Sequence, residues 1–322
     1  MRQSWSPPAL RSGYCITATV TISFNIAELR DRARAAFQGL AVGDALGAPV
    51  EFMTVGEIKA AHGVLKELVG GGWLRLKPGQ VTDDTAMSLC AARALVRAGG
   101  WSLPGIAEEF AAWLRSKPVD VGDTCRRGIR NYMLKGTLET PFNQWDAGNG
   151  AAMRLLPVAL FTLGSDRLLG EYGTSQAHLT HNHPLSDAAC LTLGRLVHFA
   201  LLGYSKSRLR READQLVADY PTFSFTPYRG LATGYIVDTV QTVFYHFFRT
   251  RTFEECVIDT VNQGGDADTT GAIVGMLAGA YYGGDAIPKR WRKKMDRQAM
   301  AECGELAERL LELSPLLNGT AE

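Results

Sequence analysis

"VNQGGDADTTGAIVGMLAGAYYG", residues 261–283, decides how the rest of the chain is read. From Ile273 the apolar positions Ile273, Met276, Leu277, Ala280 and Tyr281 recur at helical spacing, so this half is an amphipathic helix. Asp266 and Asp268 stand at its mouth. Residues two apart on a helix point to different faces, so both acids cannot project together from its middle. They belong in the loop and first turn, where Gly264 and Gly265 permit unusual backbone angles. Asp and Thr cap helices well, so an ordinary N-cap is one reading. Carboxylates held ready for a ligand are the other.

The same helix carries Gly271, Gly275 and Gly279 four apart, and "AELRDRARAAFQGLAVGDALG" carries Gly39, Gly43 and Gly47 in the same way. Glycine inside a helix costs about 1 kcal/mol against alanine. Close approach of two backbones is the compensation to look for, and such a crossing would draw the ends of both helices together. From about Ile26 the chain reads helix after helix. "TDDTAMSLCAARALV" puts Met87, Cys90, Ala91, Ala94 and Leu95 on one stripe. Further helices are expected near 103–116, 121–134, 149–162, 184–203, 205–219, 230–249, 252–262 and 300–314. Loops fall at "GGGWLRLKPGQ", "NQWDAGNG" and "HNHPLSD". No second domain boundary or fixed repeat stands out. The reading is all-α: a single compact multi-helix domain over 26–322 behind an extension, 1–25. There "CITATVTISF" alternates like a strand without a partner, and a mobile tail is expected.

With 322 residues, 46% hydrophobic and 21% charged, the composition is that of a soluble globular protein. A net charge of +1 supplies no field for nucleic acid or an anionic membrane. The run "KRWRKKMDR", Lys289 to Arg297, is either a docking patch or the solvated face of a terminal helix. No apolar run reaches the ~18 residues a membrane helix needs. Six cysteines (Cys15, Cys90, Cys125, Cys190, Cys256 and Cys303) include no C-x-x-C pair, which points away from zinc and disulfides and toward a reducing, cytoplasmic setting.

A second acidic motif bears on the opening pair. "VTDDTAMS" sets Thr82, Asp83 and Asp84 at the start of an apolar helix, as Asp266, Asp268 and Thr269 stand at theirs. Glu51, after the first glycine-ridged helix, adds another acid near a helix end. Carboxylates and hydroxyls are hard oxygen ligands suited to Mg²⁺ or Mn²⁺. So many acids exceed what one Mg²⁺ takes from protein, and two ions sharing them is the economical reading; paired caps remain the alternative. Asp44 lies inside an apolar helix, where an unpaired charge is costly, and calls for a buried partner or a role in the site.

The motifs "GLAVGDALGAPVEF", "TDDTAMS", "DAGNGAAMR", "THNHPLSDAACLTLGR" and "VNQGGDADTTGA" together resemble the ADP-ribosylglycohydrolase family, in matching order over roughly residues 30–290. "GGGWLRLKPGQ" and "KPVDVGDTCRRGIRNYM" resemble the branch that acts on the ADP-ribosylated nitrogenase iron protein. The resemblance implies an all-α fold with two divalent cations, Mn²⁺ or Mg²⁺, in a cleft, and removal of ADP-ribose from a modified arginine. Its metal ligands fall on Glu51, Thr82, Asp83, Asp84, Asp266, Asp268 and Thr269, and Asp120 matches the carboxylate given a catalytic role. It further implies PII-type signalling proteins as regulators and, through partners alone, peripheral recruitment to the inner membrane.

That chemistry suits the residues. Breaking an N-glycosidic bond builds positive charge on the ribose, which flanking acids stabilise. A water acidified between two cations is the candidate nucleophile, with Asp120 as general base or proton shuttle. Asp123 stands where members of the branch carry Asn; either it faces the cleft beside Asp120, or it is exposed or pairs with Arg126 or Arg127. Gly148, Asn149 and Gly150 form a loop fit to present N–H groups to a pyrophosphate. His181 is a substrate contact by resemblance, His183 reads as structural, and Tyr235 either bounds the cleft or packs in the core. Two rivals stand beside this reading. An isoprenoid synthase needs Asp-Asp-x-x-Asp, and Met87 occupies its fifth position here. A family member acting on another target, or binding ADP-ribose without turnover, would keep the fold.

Overall fold

Two helices pass each other at backbone contact in the middle of the structure, a computed structural model that describes residues 25–321. They are α1 (Ile26–Gly47) and the helix Ala267–Tyr282. Gly39 faces Gly275, Gly43 faces Gly271 and Gly47 faces Ala267, so the two run antiparallel. A methyl group on Gly43 would collide with the carbonyl of Gly271, and one on Gly275 with that of Gly39. The glycine ridges are therefore the contact. Because the pair is antiparallel, the end of α1 meets the start of its partner, which is where Glu51 and Asp266 lie in the sequence.

The other helices wrap this pair. In chain order they are α2 (Val55–His62), α3 (Asp83–Ala98), α4 (Leu103–Arg115), α5 (Asp123–Lys135), α6 (Leu156–Phe161) and α7 (Asp166–His178). Then come α8 (Pro184–Leu201), α9 (Lys206–Asp219), α10 (Ile236–Arg249), α11 (Phe253–Val261) and α12, the glycine-ridged Ala267–Tyr282. The chain closes with α13 (Lys289–Lys294), α14 (Arg297–Glu312) and α15 (Pro315–Asn318). No β-strand forms among the described residues, only isolated bridges at Gly71–Leu76 and Gly148–Tyr235. One continuous apolar cluster runs through the helices, as the all-α reading expects. The extension, all but Asn25, lies outside the described residues; Asn25 itself caps α1 by accepting the Ala27 N–H.

Three departures from the expected helices have physical causes. The stretch 149–162 is helical only over α6, because Pro157 cannot donate to a preceding carbonyl and the Asn149 N–H is taken by Gly234 O. Residues 230–235 stay out of α10 because Ala232 O and Gly234 O accept bonds from the loops that approach them. Helix α7 has no clear apolar stripe: its buried positions are Leu169, Gly173, Gln176 and Ala177. The basic run is not merely a solvated face. Trp291 is fully buried, its indole N–H donates to Lys66 O at 2.8 Å, and Arg290 pairs with Glu67 and Glu254.

If the backbone crossing holds the fold, Gly43→Ala loses about 1–3 kcal/mol of stability or more in urea denaturation, as overpacked cores do. Gly100→Ala, whose methyl would meet nothing within 4 Å, changes stability by less than about 0.5 kcal/mol. Equal effects would contradict the close approach.

Candidate metal centre and active site

The chain brings its acids together by backbone bonds before any side chain acts. After α1 it turns through Ala48–Val50 to Glu51. There the Phe52 N–H donates to Gly265 O at 2.6 Å, and the Gly265 N–H to Met53 O at 2.8 Å. This stitches Glu51 to the loop before α12. Gly264 and Gly265 take φ of 69° and 62°, and any side chain on Gly264 would strike Met53 O. The next N–H, of Asp266, donates to Ala232 O at 2.6 Å and fixes the start of α12.

Helix α3 enters from another side, held by Asp44 of α1. The Asp44 carboxylate accepts the Thr82 and Thr85 N–H groups at 3.0 and 3.2 Å, and their hydroxyls at 3.0 and 2.5 Å. The charge inside α1 is thus a cap supplied across space. Burial pushes Asp44 up to about 6, against the pull of those bonds. From α5, the Gly122 N–H donates to Asp83 Oδ2 at 3.2 Å, which draws Asp120 in. Asp120 spends Oδ1 on the Val121 N–H at 2.7 Å.

Glu51, Asp120 and Asp268 each offer a carboxylate oxygen within 4.8 Å of the others. Asp120, read from the sequence as standing apart from the ligands, is one of this trio. Asp83, Asp84 and Asp266 are close enough that their charges act on these acids and on one another. Burial, then the neighbouring acids, pushes Glu51 up to about 8 and Asp83 up to about 7; the Trp73 bond partly opposes this at Glu51. Asp84 and Asp268 rise well above the carboxylate range for the same two reasons. Burial also raises Asp120. Among the described residues no lysine, arginine or histidine forms an ion pair with any of these acids.

The cap reading of the two motifs can now be tested. Asp266 is the N-cap of α12 and Thr82 that of α3, and neither side chain makes a capping bond. Asp266 Oδ2 instead accepts the Asn149 side-chain N–H at 2.7 Å. Asp84 Oδ1 is buried with no hydrogen-bond partner at all. Buried carboxylates that repel one another, with Asp84 Oδ1 left unpartnered, are costly, so the cluster could hold a cation. All-oxygen donors fit Mg²⁺ or Mn²⁺. Thr82 Oγ1 touches Asp84 Oδ2 at 3.2 Å, and Thr269 also bonds Asp84, so both hydroxyls border the acids.

The expected substrate loop is more occupied than the sequence suggests. The Asn149 N–H is committed to Gly234 O and is not free for a phosphate; its side chain clasps Asp266 and Thr239. His181 is buried beneath Gly148 and Gly150, its Nδ1 2.6 Å from Thr180 Oγ1, and burial, reinforced by Arg154, keeps it neutral. His183 caps α8 by accepting the Leu185 N–H. Tyr235 is 41% exposed, so it does not pack in the core. Asp123 is exposed and pairs with Arg126 at 3.1 Å, so it does not face Asp120's cleft.

Sequence reasoning gave no site role to two supporting residues. Trp73 donates its indole N–H to Glu51 Oε2 at 2.7 Å and lies beside Phe52, with ring centroids 5.6 Å apart. Its loop, with a tryptophan after three glycines, marked only the resemblance to one branch. Arg154, fully buried in the segment after the Gly148–Gly150 loop, donates to Gln176 and Thr180. An arginine in an otherwise apolar segment was its only sign.

Comparison with known proteins agrees with the all-α fold. The ADP-ribosylglycohydrolase family profile matches residues 25–318. The chain belongs to the ADP-ribosylglycohydrolase family. It is 57% identical over 288 residues to the ADP-ribosyl-[dinitrogen reductase] glycohydrolase of Rhodospirillum rubrum, covering 89% of this chain and 98% of that protein. It is 30% identical to the ADP-ribosylarginine hydrolase Tri1 of Serratia proteamaculans, over 89% of this chain and 81% of Tri1. A solved structure described as an ADP-ribosylglycohydrolase-related protein complex superposes with a TM-score of 0.78 at 34% identity, covering 89% of this chain and 99% of its own.

The raised carboxyls have a measurable consequence. Each holds its proton more tightly folded than unfolded, so metal-free stability falls as pH rises from the unfolded range near 4 through the window of about 6 to 8. Asp83→Asn removes one such group. In EDTA its stabilisation over the parent grows between about pH 4 and 7 and levels off above that in urea titrations. A gain independent of pH would contradict the burial of these charges.

Proposed function

We propose that this protein hydrolyses the N-glycosidic bond between ADP-ribose and a modified arginine of the nitrogenase iron protein, reactivating it. The observation that carries the reading is a buried acid cluster that forms no ion pair with a basic side chain among the described residues, in a chain 57% identical to a hydrolase named for that reaction. The reaction adds water: the bond from the ribose anomeric carbon to the guanidine nitrogen breaks, a water oxygen takes its place, and the guanidine leaves with a proton.

Glu51, Thr82, Asp83, Asp84, Asp266, Asp268 and Thr269 are assigned to two divalent cations, Mn²⁺ or Mg²⁺. Bound there, the ions would supply Lewis-acid charge to the ribose hydroxyls and acidify a water. Glu51 is oriented for this by Trp73, and Asp266 by Asn149. Asp120 is assigned the proton transfer. It is half-buried, its affinity for a proton is raised, and one of its oxygens is left free after the Val121 bond. Gly148, Gly150 and Tyr235 bound the side where substrate enters, with His181 supporting the loop from below. A PII-type regulator and peripheral recruitment to the inner membrane belong to the proposal through the family resemblance alone. No helix of the described residues is long and apolar enough to cross a membrane.

The test is release of free ADP-ribose from ADP-ribosyl-arginine and from the modified iron protein, with Mn²⁺ present. Activity on both, lost with EDTA and in Asp268→Ala, is the expected result. Asp120→Asn should still bind Mn²⁺ by calorimetry while turnover falls about 10²- to 10⁴-fold. Full turnover in Asp120→Asn would overturn its role; ADP-ribose binding without release would make the protein a binder.

A further inference from the structure

Helix α5 leaves the acid cluster and runs outward along a groove of about 830 Å³. Its N-terminus is in the site, where the Gly122 N–H meets Asp83. From there Asp123, Arg126, Arg127, Arg130, Asn131 and Leu134 line the groove. Their spacing follows one face of the helix over about 16 Å. The opposite face, with Cys125, Gly128 and Ile129, is buried. The far wall is the loop 140–146, where Phe142 is 62% exposed, and Trp145 on that loop is 81% exposed.

The charges in this groove are unequal. Arg126, Arg127, Arg130 and Lys135 stand against Asp123 and Asp146. Both acids are already engaged, by Arg126 and Arg127 respectively. Arg130 and Lys135 are exposed and form no ion pair among the described residues. The protein as a whole is almost neutral, so this is a local concentration of positive charge. Exposed aromatics with arginines are the composition of protein interfaces.

We propose that this groove docks an acidic surface of the protein that carries the modified arginine, beside the site where the arginine is processed. The inference rests on the hydrolase reading above. An enzyme acting on a side chain of a folded protein must seat that protein, and this groove starts within one helical turn of the cleft. The acidic surface neutralises Arg130 and Lys135, and apolar side chains cover Leu134, Phe142 and Trp145. Recognition of this kind acts mainly on association and weakens with salt.

Two substrates separate the groove from the chemistry. In Arg130→Glu/Lys135→Glu, kcat/KM for the ADP-ribosylated iron protein should fall about tenfold or more, with the loss shrinking at high salt. Hydrolysis of free ADP-ribosyl-arginine should keep the parental kcat and KM. Trp145→Ala, exposed and outside the core, should lower activity on the protein substrate alone in the same way. Unchanged activity on the protein substrate overturns the proposal. A raised KM for ADP-ribosyl-arginine also overturns it, because the groove would then serve the nucleotide. If the parent protein hydrolyses neither substrate, the hydrolase reading fails, and the groove proposal with it.

Discussion

The backbone contact between α1 and α12 is the constraint on which the site depends. Only glycines at Gly39, Gly43, Gly271 and Gly275 let the two helices approach so closely. Because they are antiparallel, the acid after α1 and the acids opening α12 are brought to one end of the crossing. The Phe52–Gly265 and Gly265–Met53 bonds then fix their register. A wider crossing would carry Glu51 away from Asp266 and Asp268. Helix-interior glycine costs stability, and here that cost is offset by a position in space that no larger residue permits.

What the crossing assembles is unstable by itself. Buried carboxylates repel one another, and the fold supplies hydrogen bonds for some oxygens but leaves Asp84 Oδ1 with nothing. The neighbouring polar groups act as orienting struts. Trp73 holds Glu51, Asn149 holds Asp266, Gly122 holds Asp83, and Asp44 secures the start of α3. Each takes one side of a group, and the remaining oxygens converge. A divalent cation bound there would relieve the repulsion and could supply Lewis-acid charge to a ribose hydroxyl or a water.

Much of this was legible in the sequence, for reasons that can be named. Helical period and glycine spacing are local properties, so α1, α3 and α12 and their crossing could be read directly. The paired acidic motifs were legible because charge at the mouth of an apolar helix is unusual. The choice between cap and ligand was not, since it depends on where Asp44 and Asn149 reach from distant segments. Asp44 looked like a misplaced charge; it is a cap delivered from a neighbouring helix. The Gly148–Gly150 loop looked free to bind phosphate, yet Asn149 is committed on both backbone and side chain. Helix α2 was missed despite the Thr54–Glu57 capping box, a local signal that could have found it. Helix α7 was missed because Gly173 and Gln176 stand where a stripe would have apolar residues.

The most direct measurement is anomalous diffraction from crystals of the protein grown with manganese. Two peaks enclosed by Glu51, Asp84, Asp266 and Asp268 are predicted, with Asp120 beside them. Manganese bound elsewhere on the chain, or no peak among these carboxylates at saturating concentration, would contradict the claim that the fold exists to hold metal.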